Sequence, residues 1–316
     1  MINEVPDIFE YNPILNGGTE RMGLKFHNHV LDKMNNIKKY NCVIVPGCRN
    51  NLLQEYVDNE DKEIIMWVHN LPSQFSYETL TLMRSHKFIK KVKKIIAVSE
   101  WHKNEIIKEI GIDENLVHVI HNTFDPVEKD LEKFNDVDNV KLLWTSGGER
   151  GLTILLNSIV ELGDKNITLN ILGNGVPGLF DEHGNASNIN HPGIKYHGRV
   201  SKREVLTLLK ESHIFAYPSI YKETFCISLV EAISANMVTI YPKLGALEEI
   251  GSGIGISYDY EDDYKKHQDI LTENLSKSIS LIRSGNYNPG NQSELMNEKY
   301  SLDKFIQSWL TLDKEL

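Results

Sequence analysis

Two glutamates with seven residues between them, Glu223 and Glu231, stand in the stretch Pro218-Ser219-Ile220-Tyr221-Lys222-Glu223-Thr224-Phe225-Cys226-Ile227-Ser228-Leu229-Val230-Glu231-Ala232. Carboxylates accept hydrogen bonds from hydroxyls, so this pair suits two separate points of one extended ligand, such as a sugar ring and a ribose diol. The stretch follows a β-rich run and opens a helix. That places the amides of Phe225, Cys226, Ile227 and Ser228 at a positive helix end suited to phosphate or sugar oxygens. Glu231, on an apolar helix face, has a second reading as the partner of a buried cation. Upstream, Ser146-Gly147-Gly148-Glu149-Arg150-Gly151-Leu152 is a glycine turn at the head of another helix. It presents Arg150, whose planar fork holds phosphate oxygens bidentately and stays charged at any accessible pH. A solvated surface arginine is the alternative. A further glycine turn, Asn16-Gly17-Gly18-Thr19-Glu20, also precedes a helix, where backbone amides favour an anion such as a diphosphate. There a plain tight turn is the alternative.

These turns need strands to end at them and helices to start from them, and the pattern of the chain supplies both. Short β-rich apolar runs alternate with longer helical stretches, which is how parallel sheets wrapped by helices read. Strands are expected at Cys42–Pro46, Glu63–Val68, Lys94–Val98 and Leu116–Ile120, with helices at Glu20–Lys39, Asn50–Val57, Gln74–Lys90 and Glu100–Ile110. After a charged stretch that begins Phe124-Asp125-Pro126, the alternation restarts. Its strands are expected at Val140–Thr145, Ile167–Leu172, Ile194–His197, Ile214–Tyr217, Val238–Tyr241 and Gly255–Ser257. The accompanying helices are expected at Gly151–Leu162, Lys202–Glu211, Cys226–Ala235, Ile270–Arg283 and Ser301–Leu312. The expected organisation is a short N-terminal Rossmann-like domain over 1–125, a linker over 126–139 and a second Rossmann-like domain over 140–299. A C-terminal helix within 300–316 is able to pack back on the first domain. Open α/β sheets bind ligands beyond the carboxyl ends of their strands, so the turns named above are where chemistry belongs.

Composition bounds the partners. The chain has 316 residues, 41% hydrophobic and 25% charged, which is ordinary for a globular protein large enough for two cores. With 34 Lys plus Arg against 44 Asp plus Glu, the net charge of -10 disfavours a broad nucleic-acid-binding face. Cys42, Cys48 and Cys226 are an odd set without metal-ligand spacing and read as reduced thiols. Met1–Glu10 holds three acidic residues and no apolar core of a leader, so a cytoplasmic location is expected. The basic run Lys87–Lys94 reads as a solvated helix end, with peripheral contact to an anionic membrane surface as the alternative. Gly173-Asn174-Gly175-Val176-Pro177-Gly178 has the dinucleotide spacing but does not open a helix. Asp136 and Asp138 lie in the expected linker, and His27/His29 and His118/His121 are spaced so that their rings diverge. No metal site is expected.

The chain resembles glycosyltransferase family 4, the retaining, nucleotide-sugar-dependent enzymes of GT-B fold. The resemblance runs through most of the chain in the family's order. Asn16-Gly17-Gly18-Thr19-Glu20 is similar to the N-terminal glycine loop, and Ile65-Met66-Trp67-Val68-His69-Asn70 to the strand that ends in a sugar-proximal histidine. Arg150-Gly151-Leu152 resembles the basic residue and glycine that grip the diphosphate. Tyr196-His197-Gly198-Arg199-Val200 resembles the segment near the base, which makes Arg199 and Val200 donor-binding residues. Glu223 and Glu231 match the paired-glutamate motif, whose first member faces the donor sugar and whose second faces the ribose. The sequence departs from the pattern at Thr224 and Cys226, where the family usually has glycine. It departs again at Trp144-Thr145-Ser146, where a second basic residue is common.

The resemblance implies a fold of two Rossmann-like parallel-sheet domains facing across a cleft. It implies transfer, without metal or cofactor, of a hexose-type sugar from a UDP- or GDP-linked donor to a hydroxyl acceptor, whether glycan, lipid or protein-linked glycan. Arg150, Glu223 and His69 are the expected catalytic residues. Gly17, Gly18, Gly151, Arg199, Val200, Phe225, Cys226, Ile227, Ser228 and Glu231 are expected to bind the donor. A non-catalytic nucleotide-sugar-binding protein or inactive partner subunit, and a nucleotide-sugar epimerase of the same fold, are the alternatives.

Overall fold

A computed structural model describes the chain except residues 1–17, 46–49, 60, 136, 176–178, 180–188 and 190, together with the side chains of 43–45 and 50–52. Contacts divide the chain into two units, Met1–Thr123 with Tyr300–Leu316, and Phe124–Lys299.

In the first unit, the apolar runs become four parallel strands in the order β1-β2-β3-β4: β1 (Asn41–Val45), β2 (Ile64–Val68), β3 (Val92–Ala97) and β4 (Val117–Val119). Around them run α1 (Gly18–His29), α2 (Asn50–Asp58), α3 (Tyr77–Met83), α4 (His86–Lys91) and α5 (Glu100–Ile106). Every residue of β2 is buried, as a strand covered on both faces requires. Leu53, Met66, Phe88, Ile95 and Val117 share one core.

Two helical expectations need correction. Gln74–Lys90 is not one helix, because Ser76 and Ser85 each accept a hydrogen bond from the amide three residues on (Thr79 and Phe88) and so cap α3 and α4 separately. Glu20–Lys39 ends as an α-helix at His29, and the chain continues in short 3-10 turns. A carboxylate from the far end of the sequence holds that segment. Asp313 accepts from the amide of Asn35 at 2.9 Å, of Asn36 at 2.9 Å and of Ile37 at 2.7 Å. Asp313 lies on the C-terminal helix, Leu302–Glu315. That helix also inserts Trp309 against Phe26 and Trp67, with ring centroids 4.6 and 5.0 Å away.

The second unit is a six-stranded parallel sheet built from β5 (Val140–Trp144), β6 (Ile167–Leu172), β7 (Ile194–Gly198), β8 (Ile214–Ala216), β9 (Val238–Pro242) and β10 (Ile256–Tyr258). Its order is β10-β9-β8-β5-β6-β7. Its helices are α6 (Leu152–Leu162), α7 (Lys202–Glu211), α8 (Ile227–Ser234), α9 (Leu247–Gly251), α10 (Tyr264–Arg283) and α11 (Gln292–Tyr300), which ends at the border with the first unit. The C-terminal helix, Leu302–Glu315, is α12. Residues 126–139 group with this unit; Phe134 is buried there, and Lys133 donates to the Ala235 carbonyl at 2.9 Å. The expected helix from Ile270 starts a turn and a half earlier, at Tyr264, where Asp263 caps it by accepting from the Lys266 amide.

The strand order has a consequence for function. From β5 the chain goes outward to β6 and β7, then returns to lay β8 on the other side of β5. The loops leaving β5 and β8 therefore diverge at the point where the order reverses, which is where open α/β sheets leave a crevice for a ligand.

Candidate functional site

The loop leaving β5 carries Arg150, and the loop leaving β8 carries Glu223. Gly148–Arg150 form a 3-10 turn that ends on Gly151 at φ +113, the residue from which α6 starts. A side chain at Gly151 would collide with the Pro218 carbonyl, so glycine is what lets the two loops touch. The touching puts a guanidinium nitrogen of Arg150, Nη1, on Glu223 Oε1. The guanidinium also lies over the Tyr221 ring, 4.1 Å from its centroid.

Glu223 is 6% exposed and fixed from several sides. Its backbone pairs with Gly245, and its carbonyl accepts from the Ala246 amide at 2.8 Å. Gly245 has φ +63, and a side chain there would press on the Glu223 backbone. The Tyr217 hydroxyl donates to Glu223 Oε1 at 2.6 Å. Burial works against the charge of Arg150, but Glu223, Tyr217 and Tyr221 outweigh it and hold the guanidinium charged above its usual range. Burial, then the Glu223 charge, raises the Tyr217 phenol and the Cys226 thiol.

Glu231 lies in α8, 2% exposed. Lys202, the first residue of α7, reaches it at 2.8 Å and reaches Asp125 at 3.1 Å. A carboxylate this deep needs a compensating charge, so the cation-partner reading of Glu231 describes its immediate contact. The start of α8 leaves its first amides without acceptors inside the helix. Cys226 gives it no side-chain cap, and the Ser228 hydroxyl donates to the Thr145 carbonyl at 3.1 Å, tying the helix start to the end of β5. Phe225 is buried beside it, and Ile227 is the first residue of the helix. Arg199 is exposed and donates to Asn174 Oδ1 at 3.1 Å, while the Asn174 carbonyl accepts from the Gly148 amide. That links the segment of Arg199 and the half-buried Val200 to the Arg150 turn.

Sequence reasoning singled out Arg150, Glu223, Phe225, Cys226, Ile227, Ser228 and Glu231, and they occupy neighbouring loops and one helix. It did not single out Tyr217, Lys202, Asp125 or Gly245. Tyr217 was legible as the last residue expected in its strand, just before Pro218. Nothing in the sequence marks Lys202 and Asp125 as partners of Glu231.

The remaining expectations fall in the first unit. Gly17 lies outside the described residues, and Gly18 is the first residue of α1. His69 follows β2, is buried, and packs on Trp67 with ring centroids 4.6 Å apart. Burial, then the nearby His102, lowers its pKa to about 3. His102 is lowered to about 4 by burial, although its Nε2 lies 3.0 Å from the Asn70 carbonyl. His213 of the second unit is also lowered to about 4 by burial. These rings stay neutral in the folded chain while the unfolded chain takes up protons below the ordinary value near 6.5. Their contribution to stability is complete above pH ~6.5 and is lost as pH falls toward their folded values. Thermal unfolding followed at pH 7.5, 6.5 and 5.5, above the carboxylate range, is expected to show a falling Tm; a flat Tm would contradict the burial of these rings.

Among the described residues, no group of three or more His, Cys, Asp or Glu is placed to hold a metal ion. No helix among them is long and apolar enough to cross a membrane.

The family model described as glycosyl transferases group 1 matches residues 147–274, which span Arg150, Glu223 and Glu231. The matched stretch lies within the second unit. Over 195 residues the chain is 26% identical to one subunit of the human phosphatidylinositol N-acetylglucosaminyltransferase. That match takes in 60% of this chain and 39% of the human protein, so the chain spans well under half the length of this curated relative. Among solved structures, HepE of Anabaena in complex with UDP-glucose is similar with a TM-score of 0.63 and 16% identity, over 85% of this chain and 77% of that one. A glycosyltransferase from Rickettsia africae gives 0.62 and 16% over 84% and 80%. The sucrose-phosphate synthase of Thermosynechococcus elongatus gives 0.64 and 12% over 84% and 71%. These likenesses establish the fold of the chain as GT-B, with two Rossmann-like units.

Proposed function

We propose that the chain is a family 4 enzyme that moves a hexose-type sugar, with retention of anomeric configuration, from a nucleoside diphosphate donor to a hydroxyl acceptor without a metal. The observation that carries this reading is the juxtaposition of Arg150 and Glu223 at the switch point of the second sheet. It supplies a cation for a diphosphate and a carboxylate for a sugar hydroxyl on touching loops, with the first turn of α8 beginning four residues beyond Glu223. The group 1 match over the same residues supports it.

Breaking the anomeric C–O bond leaves its electron pair on the departing diphosphate, so a group that holds that charge better in the transition state than in the ground state is catalytic. Arg150 is that group, aided by the amides at the start of α8. Glu223 orients the sugar and Glu231 the ribose diol. No carboxylate is assigned here as a covalent nucleophile. Attack from the leaving-group face, with the departing phosphate taking the acceptor proton, fits the residues present. Any part His69 plays is that of a neutral imidazole. UDP is the nucleotide in the Anabaena complex, and UDP- or GDP-linked hexoses are the donors proposed for this chain.

The test is turnover. The full chain, with chelator present, is incubated with UDP- and GDP-hexoses and a panel of hydroxyl acceptors, and nucleoside diphosphate release and product configuration are read by NMR. Release with a retained anomer supports the proposal. Binding without release favours a non-catalytic nucleotide-sugar-binding protein, and sugar interconversion without an acceptor favours an epimerase. Glu231→Ala is expected to weaken donor binding about tenfold, the size of a lost hydrogen bond to a charged group; equal affinity in a titration would reject its ribose role.

A further inference from the structure

Glu223 is held twice through the same oxygen. Arg150 Nη1 and the Tyr217 hydroxyl both donate to Oε1, while Oε2 meets no donor among the described residues. The two donors differ in kind. Arg150 is half-buried on a long side chain, and its Nη2 meets no acceptor among the described residues. Tyr217 is 1% exposed, has two side-chain torsions, and is stacked on Phe215 with ring centroids 5.5 Å apart. A phenol has one proton to give, and Tyr217 gives it to Glu223. The Ser146 hydroxyl, 3.1 Å from the Tyr217 oxygen, must therefore be the donor in that contact. The result is a relay from Ser146 through Tyr217 to Glu223, running from the Arg150 turn to the sugar-facing carboxylate.

A diphosphate competes with Glu223 for the Arg150 fork. As Arg150 turns toward it, a carboxylate 6% exposed loses its cation and needs another donor to keep its place. We propose that Tyr217, backed by Ser146, is the positioning residue that keeps Glu223 in place, with Oε2 presented to a donor-sugar hydroxyl, while Arg150 engages the diphosphate. This rests on the donor site proposed above and names the residue that gives it sugar selectivity. Tyr217 is a neutral donor, so it holds the carboxylate without competing with the phosphates for charge.

The test separates sugar from diphosphate. Tyr217→Phe removes one hydroxyl and keeps the ring. Affinity for the nucleoside diphosphate alone is expected to change less than twofold, while the KM for the nucleotide sugar rises about tenfold. The preference between that sugar and its epimer at a single ring hydroxyl is expected to shrink with it. Ser146→Ala should act in the same direction by about threefold, and it carries the test if Tyr217→Phe does not fold. A merely structural role would shift both ligands together or only the Tm. Equal changes for both ligands, or no change in either, overturn the inference while the donor site stands. A wild-type chain that binds neither the nucleoside diphosphate nor its sugar overturns the parent reading and this one with it.

Discussion

Replacing Arg150 by alanine is expected to cut kcat about a hundredfold, the ~3 kcal/mol typical of losing one preorganised contact to the charge that develops in a transition state. Removing the guanidinium also strips Glu223 of its cation, so a lower rate alone does not say which loss matters. A double-mutant cycle separates the two. If Arg150 only neutralises Glu223, then Arg150→Ala should cost nothing further in a Glu223→Gln background. If it holds the diphosphate, most of the hundredfold loss should persist there. Arg150→Lys is expected to recover only part of the rate, because an ammonium keeps the charge but not the fork that spans two phosphate oxygens or the stacking on Tyr221. An unchanged kcat in Arg150→Ala would remove the residue from the site.

Gly151→Ala is expected to be strongly destabilising. Its φ of +113 is strained for any residue with a Cβ. The atom that Cβ would meet is a backbone carbonyl, that of Pro218, not the tip of a flexible side chain. Backbone strain and overpacking each cost about 1–3 kcal/mol. A combined loss of ~3 kcal/mol lowers the Tm of a unit this size by roughly 6–12 °C. Relief of the clash requires the β5 and β8 loops to separate, so donor affinity should fall with stability. By contrast, Gly163, the C-cap of α6, has φ +63 and open space around it, and its alanine variant should show the strain without the loss of affinity. A Gly151→Ala chain with unchanged Tm and donor affinity would mean that the loops do not need to touch.

Much of this architecture is legible in the sequence because its signals are local. All ten expected strands are present, with ends displaced by at most two residues, since each is a short β-rich run bounded by turn residues. The helix errors have local and distant causes. The breaks at Ser76 and Ser85 were written in capping residues that the apolar pattern overrode. The path of 35–37 depends on Asp313, more than 270 positions away, which no window along the chain can see. α11 escaped notice because its polar positions, such as the buried Gln292 and Ser293, show no helical stripe.

The site divides in the same way. Arg150, Glu223 and Glu231 stand out by residue type, by their glycine and proline neighbours, and by spacing. The groups that fix their charges do not. Lys202 meets Glu231 across 29 positions, and Tyr217 meets Ser146 across 71, each brought in by the order of strands in the sheet. Spacing along a chain reveals which side chains can act, while sheet order decides what neutralises and aims them.

Arg150 is proposed to hold the diphosphate of a sugar nucleotide in the second unit, and binding tests this. Calorimetric titration of the full chain with UDP- and GDP-linked hexoses, with chelator present, compares the native protein directly with Arg150→Ala. Saturable one-site binding of at least one such donor to the native chain, weakened tenfold or more in the variant, is expected. Binding of equal strength in both proteins, or no binding of any such donor to the native chain, would contradict it.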